Sequence, residues 1–458
     1  MLSKFEIQDI LEQSLFEGAD FAELFFEDSI MHFLKVVDQE LFEIDIKHIF
    51  GLGIRLLKDT EEIYIYTNKM NYHDILNLIK TNNFKRLKTH SAIPLGQAKI
   101  FNNNIKKPFN SLNLLDKAKK MLHLSQIMKN HDNKIFKTSV NLEQNEQKVL
   151  IANSQGLYQN DFRPYIKCSL LSFAKDGDNI QNFSDSVGLS LGLEIFDIVD
   201  FETLATKVAQ KAVILLSAEE LKPQIMPVII NNGVGGVIFH EACGHSLEAT
   251  AIARDLSPFC GKINQKIASE IVTAYDDGTI EGYWGKLNFD DEGHKTQKNL
   301  LIEKGILKNY LVDFRNSRKM NMPSTGSSRR QSYKYSPTSR MNSTYIDAGK
   351  DNPEKIIKET KYGLYAEYLG GGTVVPTTGE FNFMVKLGYL IENGVLTKPI
   401  KGMMLIGDGQ SVLLKIDRVA NNLAFSQGYC GSVSGYVPVD LGQPTIRVSE
   451  MIIGGSKK

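Results

Sequence analysis

The chain opens with apolar residues at helical spacing separated by acids, in MLSKFEIQDILEQSLFEGADF, and this predicts a first amphipathic helix. The period then changes. AELFFED, SIMHFLKVVDQ, QELFEIDIKH, GLGIRLLK and EEIYIYTN read as five short strands with turn residues between them, arranged as an antiparallel meander. A helix over MNYHDILNLIKTNNF follows, then an Asn/Lys-rich surface connection around NNNIKKPFNSLN and a second helix, LLDKAKKMLHLSQIMKN. Strands return in VNLEQNEQKVLIAN and YIKCSLLSFAK, with NSQG and KDGDN as turns. The run FETLATKVAQKAVILLSAEE is strongly amphipathic and predicts another helix, and PQIMPVII after it predicts a strand whose prolines mark its entry.

A domain boundary is placed there. Residues 1–222 are expected to form a mixed α/β domain, and residues 223–458, which are rich in Gly and strand patterns, a separate β-rich domain. In that second half LIEKGIL, Leu301 to Leu307, is echoed by LIENGVL, Leu390 to Leu396. Each has an apolar pair, a Glu, a two-residue turn ending in Gly and further apolar residues, which is hairpin chemistry. Two such hairpins suggest one β architecture.

Composition narrows the function. A chain of 458 residues can bury substantial cores, and 53 basic residues balance 53 acidic ones, so no global field exists to hold nucleic acid or an anionic membrane. No apolar run reaches the ~18 to 20 residues that span a bilayer. The best candidate, Ile225 to Phe239, is interrupted by Pro227, Asn231, Asn232 and several glycines. The N-terminus lacks the basic start and unbroken apolar run of an export signal. Four scattered cysteines, Cys168, Cys243, Cys260 and Cys430, argue against a disulfide framework and fit a reducing compartment, so a cytoplasmic location is expected. His32, His48, His73, His90, His123 and His131 lie far apart and read as structural or solvated.

The chemistry concentrates in GGVIFHEACGHSLEA, Gly235 to Ala249. A metal-dependent hydrolase needs neutral imidazoles, a further ligand, an open position for water and a carboxylate to take the water's proton. H-E-x-x-H serves because residues four apart differ by only ~40° around an α-helix. His240 and His245 are five apart, ~140° on a regular helix, and could not share an ion. A one-residue π-bulge would return His245 to the face of His240, and Gly244 makes that distortion cheaper. Glu241 would then stand beside the metal water, while Glu248 could orient an imidazole or act as a ligand.

HEACGH, together with DDEG at Asp290 to Gly293, STGSSRRQSY at Ser324 to Tyr333, YLGGGTVVPTTGEF at Tyr368 to Phe381, YLIENG at Tyr389 to Gly394 and VPVDLGQPTIRV with IIGG, resembles the TldD branch of the TldD/PmbA family. The resemblance runs in order through nearly all of the second half. It implies a zinc metallopeptidase with an H-E-x-x-x-H site, a motif that the PmbA (TldE) branch lacks. It also implies a third zinc ligand, a cysteine shortly before the V-G-Q-P segment, whose place here is Cys430. Cys243 is outside that ligand set and reads as structural. One departure stands out: many relatives read G-L-E-G-D after the second histidine, where this chain has Ser246, Leu247, Glu248, Ala249 and Thr250.

The expectation is therefore an α+β protein: an N-terminal domain serving assembly, then a barrel-like, β-rich metallopeptidase domain with the metal-binding helix at its start. His240, His245 and Cys430 would hold Zn2+, and Glu241 would be the base. The resemblance further implies a TldE/PmbA-like partner in a heterodimer, and unfolded peptides entering as extended strands, with neither nucleic acid nor membrane as a partner. Arg329, Arg330 and Arg340 are candidates for oxyanion or peptide-carboxylate contact. Gly370, Gly371 and Gly372 read either as a site of strand addition or as a flexible surface loop.

Overall fold

A computed structural model describes residues 2–84, 91–103, 105–375 and 377–454; His90 lies outside the described residues. The first helix, Lys4–Phe16, is closed by a reciprocal cap in which Ser3 and Glu6 satisfy each other's backbone N–H groups. The helices expected over the next stretches form as Tyr72–Thr81, Leu114–Asn130 and Phe201–Ser217. Among the described residues no helix is long and apolar enough to cross a membrane.

The meander forms, but from three strands rather than five. Phe21–Val37 runs straight through the expected break at Asp28 and Ser29, and Glu40–Lys58 runs through Gly51 and Gly53. These glycines do not mark a turn. A Cβ on Gly51 would lie 2.2 Å from the Tyr333 ring, and one on Gly53 would lie 2.1 Å from the Tyr64 hydroxyl, so both record a close approach by another part of the chain. With Glu61–Thr67, Ile135–Asn153, Tyr158–Asp176 and the shorter Lys99–Asn102 and Asn179–Leu189, these strands build one large twisted sheet. The helices Leu114–Asn130 and Phe201–Ser217 cover one face of it, sharing an apolar core through Met121, Leu124, Val208 and Ala212.

The second half contains a closed barrel. Tyr362–Val375 pairs with Gln224–Ile230, then Ile446–Gly454, Met403–Asp408 and Glu380–Glu392, which pairs back to Tyr362–Val375. Five strands thus leave no open edge within the ring. Val228, Ile230, Leu364, Phe383, Val385, Leu405 and Val448 share one buried cluster with Ile238, Phe239, Ala242 and Cys243, so the helical segment carrying HEACGH is anchored in the barrel's own core.

A separate sheet holds Ala274–Asp277, Ser343–Ile346 and the hairpin Ala424–Ser432 with Gly435–Gln443. Both echoed hairpins form, with left-handed backbone at Lys304–Gly305 and Asn393–Gly394. The expectation that they share one architecture is corrected, because the first belongs to this sheet and the second to the barrel sheet. Two-residue turns repeat wherever strand twist demands them, whatever sheet they serve.

The two halves meet through buried ion pairs. Arg55 bridges Glu62 and Glu292, Arg163 bridges Asp161 and Asp291, and Arg330 binds Glu23 at 2.5 Å. DDEG and STGSSRRQSY thus supply the C-terminal side of this interface: the Tyr333 N–H donates to Glu27 and Tyr64 donates to the Tyr333 carbonyl. Removing one member leaves its partner charged and buried. We expect Arg330→Met to destabilise the chain by about 3–5 kcal/mol, and Arg330→Met with Glu23→Leu by clearly less, read as shifts in urea unfolding midpoint.

Candidate metal centre

HEACGH lies in a composite helical segment. A 3-10 turn, Gly233–Gly236, leads into one α-turn, Val237–Phe239, then a π-turn, His240–Gly244, and a last 3-10 turn, His245–Leu247. The His245 N–H donates to the His240 carbonyl, five residues back, which is the bond that takes in the extra residue. The imidazoles consequently sit together with ring centroids 5.1 Å apart. The turn needs small residues around it. A Cβ on Gly244 would meet the Met341 sulfur at 2.1 Å, and one on Gly409 would meet the Ala242 carbonyl at the same distance.

Cys430 arrives from the other sheet, on the hairpin strand Ala424–Ser432, with its sulfur 3.2 Å from His245 Nε2. One ligand-capable atom from each of His240, His245 and Cys430 falls within 4.8 Å of the others. Burial alone would raise the Cys430 thiol, but the charges of His240 and His245 outweigh it and bring the thiol down to about 3, so it offers a thiolate. Burial would lower His245, yet Glu248 and Cys430 raise it well above its ordinary range. Glu248 accepts from His245 Nδ1 at 3.1 Å, which turns Nε2 toward the sulfur.

Whether these residues suit an ion can be read from what the protein leaves undone. His240 is 1% exposed and its Nδ1 is buried with no hydrogen-bond partner. Two imidazoles and a thiolate converging at one point, one imidazole already oriented from behind, form a donor set that fits a borderline-soft ion such as zinc. Glu241 differs from the three. Its side chain keeps 28% of its exposure and lies 3.6 Å from His245 Nε2, on the side facing the centre.

The three candidate arginines are all buried. Arg340 is fully buried and donates to the Cys430 carbonyl, to Ser434 Oγ at 2.9 Å and to the Gly435 carbonyl at 2.9 Å, with Nε 4.0 Å from Glu248. It braces the cysteine hairpin from behind. Arg329 donates to the carbonyls of Met341 and Pro438, and Arg330 to Glu23, Tyr64 and the Asp291 carbonyl. All three are buried and donate to protein acceptors, and Arg329 and Arg330 also line a cavity of about 360 Å³ with Arg163 and Tyr165. Gly370, Gly371 and Gly372 do not form a free loop: they lie in the barrel strand Tyr362–Val375, beyond the Leu364–Ala366 stretch that pairs with Gln224–Ile230, where the pairing with Glu380–Glu392 slips by one residue between Leu369 and Gly372. Cys243 is buried in the barrel core and its thiol is pushed up by burial, as its structural reading expects.

A second convergence, Asp290, Glu292 and His294, escaped the sequence reading. Its carboxylates are already engaged. Asp290 accepts from the Glu292, His294 and Ser328 N–H groups, and Glu292 from Arg55 and the Phe314 N–H. The group is part of the interface scaffold.

The comparisons agree with this arrangement. Residues 223–455 match the PmbA/TldA metallopeptidase C-terminal domain, and residues 107–216 match the central domain of the same family. A metalloprotease TldD homolog from Haemophilus influenzae is 33% identical over 99% of this chain and 97% of its own. A zinc metalloprotease TldD homolog from Saccharolobus solfataricus is 26% identical over 96% of this chain and 97% of its own. TldE from Thermococcus kodakarensis shares the fold, with a TM-score of 0.77 at 19% identity over 98% of this chain and all (100%) of that one. The chain belongs to the TldD/PmbA family of metallopeptidases.

Orientation of His245 by Glu248 gives a direct expectation. Glu248→Ala should weaken zinc affinity by about 10–100-fold in competition with a chromophoric chelator, and Glu248→Gln, which keeps an acceptor oxygen, should recover part of the loss.

Proposed function

We propose that this chain is a zinc-dependent peptidase of the H-E-x-x-x-H type, acting on unfolded or unstructured peptides as the catalytic subunit of a TldD/TldE-type heterodimer. The observation that carries the reading is the convergence of His240, His245 and Cys430 with the partly exposed Glu241 carboxylate beside them. A purely structural site has no use for a base next to an open position.

His240, His245 and Cys430 would hold the zinc, which when bound supplies a Lewis acid to the scissile amide and its attacking water. Glu241 takes the proton of that water at its carboxylate and returns it to the leaving amine. Glu248 keeps His245 in the tautomer whose Nε2 faces the centre, and Arg340 keeps the Cys430 strand in place from behind. The barrel strand with Gly370, Gly371 and Gly372 is half-buried to exposed, so an extended peptide can approach its backbone.

In this reading residues 1–222 serve assembly and residues 223–458 form the metallopeptidase domain. The named likeness to TldE supports a TldE/PmbA-like partner. All four cysteines are free, which agrees with a cytoplasmic setting.

Elemental analysis and peptide hydrolysis together test this. About one zinc per chain is expected in the wild type, with clear loss in Cys430→Ala. Glu241→Gln should keep its metal and lose about 10²–10⁴-fold in kcat on an unstructured peptide with the partner subunit present. Full activity in Glu241→Gln, or a wild type that neither holds zinc nor cleaves when it is supplied, would refute the catalytic reading and leave a scaffold subunit.

A further inference from the structure

A cavity of about 310 Å³ lies beside the elements that carry the candidate metal centre. On one side stand Thr250 and Arg254, two and six residues beyond Glu248. On another stands Val433, in the turn of the hairpin that carries Cys430. Thr338 Oγ1 donates to Ser434 Oγ at 3.2 Å, and Ser434 in turn receives Arg340, the residue that binds the Cys430 carbonyl. The pocket wall and the cysteine strand are therefore one hydrogen-bonded unit. Val433 lies three steps along extended chain from Cys430, a reach of ~10 Å.

The charges in this cavity do not balance. Arg254, Arg315 and Lys319 line it, against Glu62 and Asp313. Both acids are occupied. Glu62 binds Arg55 at 2.7 Å and Ser336 at 2.6 Å, while Asp313 accepts from the Asn316 backbone and side chain and from the Ser339 N–H. Arg315 donates Nε to the Thr60 carbonyl and only grazes Glu62, at 3.9 Å. Among the described residues neither Arg254 nor Lys319 has an acidic side chain within ion-pairing distance, and both are exposed. Position 250 is Thr, so that part of the wall carries a hydroxyl and no charge.

We propose that this cavity receives a carboxylate of the bound peptide, an acidic side chain or the C-terminal group, two to three residues from the scissile bond. The inference rests on the peptidase reading above, since the spacing follows from an extended peptide rising ~3.3 Å per residue from the metal centre. Arg254 and Lys319 supply the attraction, and Thr250 and Thr338 line the wall with hydroxyls. The pocket thus selects among unfolded peptides by charge.

The test uses the zinc-loaded full chain with its partner subunit, in a Glu241→Gln background, and short labelled unstructured peptides followed by fluorescence anisotropy. The peptides differ only in one internal Glu or Gln, each with a free or amidated C-terminus. An internal Glu should tighten binding by about fivefold at low salt if the side chain is the ligand; a free C-terminus should do so if the terminal carboxylate is. The gain should vanish with Arg254→Ala plus Lys319→Ala, and independently with Thr250→Asp. Equal binding of all four peptides, or a preference that survives those variants, overturns the proposal. Parallel hydrolysis by the Glu241 protein separates the two readings. Cleavage without charge preference removes the pocket and leaves the peptidase; a charge preference in binding without cleavage of any peptide removes the peptidase and leaves the pocket.

Discussion

Two imidazoles five positions apart can face one point only where a helix takes in a residue too many, and much of the second half is arranged around that demand. A π-turn is wider than an α-turn and forms poorer backbone bonds, so it persists only where its surroundings hold it. Here Ala242, Cys243 and Met341 share the barrel's buried cluster, Met341 closes on Gly244, and the backbone at Gly409 closes on Ala242. A side chain larger than hydrogen at either glycine would push against the turn itself. The closed barrel supplies the rigidity, because a ring of five paired strands has no free edge along which it could relax.

The third candidate donor is held by different means. Cys430 sits on a hairpin whose outer turn is exposed, and a guanidinium buried behind it receives three acceptors from that hairpin. Arginine suits this task better than lysine, since its planar fork fixes several acceptors at once and stays charged when desolvated. Rigidity on the histidine side therefore comes from apolar packing. On the cysteine side it comes from a buried charge whose donors the hairpin carbonyls satisfy.

The legible parts of the sequence were those whose physics is local. Helical periodicity placed Leu114–Asn130 and Phe201–Ser217, and turn chemistry placed Asn393–Gly394. The spacing of His240 and His245 calls for a π-turn if the two are to share an ion, and the turn is present. Long-range packing stayed hidden. Gly51 and Gly53 look like a strand break until Tyr333 and Tyr64 are seen filling the space above them. For Arg329, Arg330 and Arg340 nothing near them in sequence reveals Glu23, the Pro438 carbonyl or the Cys430 hairpin as partners. The triplet Asp290, Glu292 and His294 shows the reverse case, a ligand-like spacing whose oxygens serve backbone amides and Arg55 instead.

The ligand set draws on two sheets and on positions 185 residues apart along the chain. An ion shared by them would act as a clasp between a helical segment anchored in the barrel and a hairpin that is itself paired to Ser343–Ile346 and held by Arg329 and Arg340. Any free energy of binding would then be linked to the docking of that hairpin more than to the barrel, since only the state with the hairpin docked presents all three donors. The ion would then tie together two parts of the chain that are far apart in sequence and meet only in the complete fold.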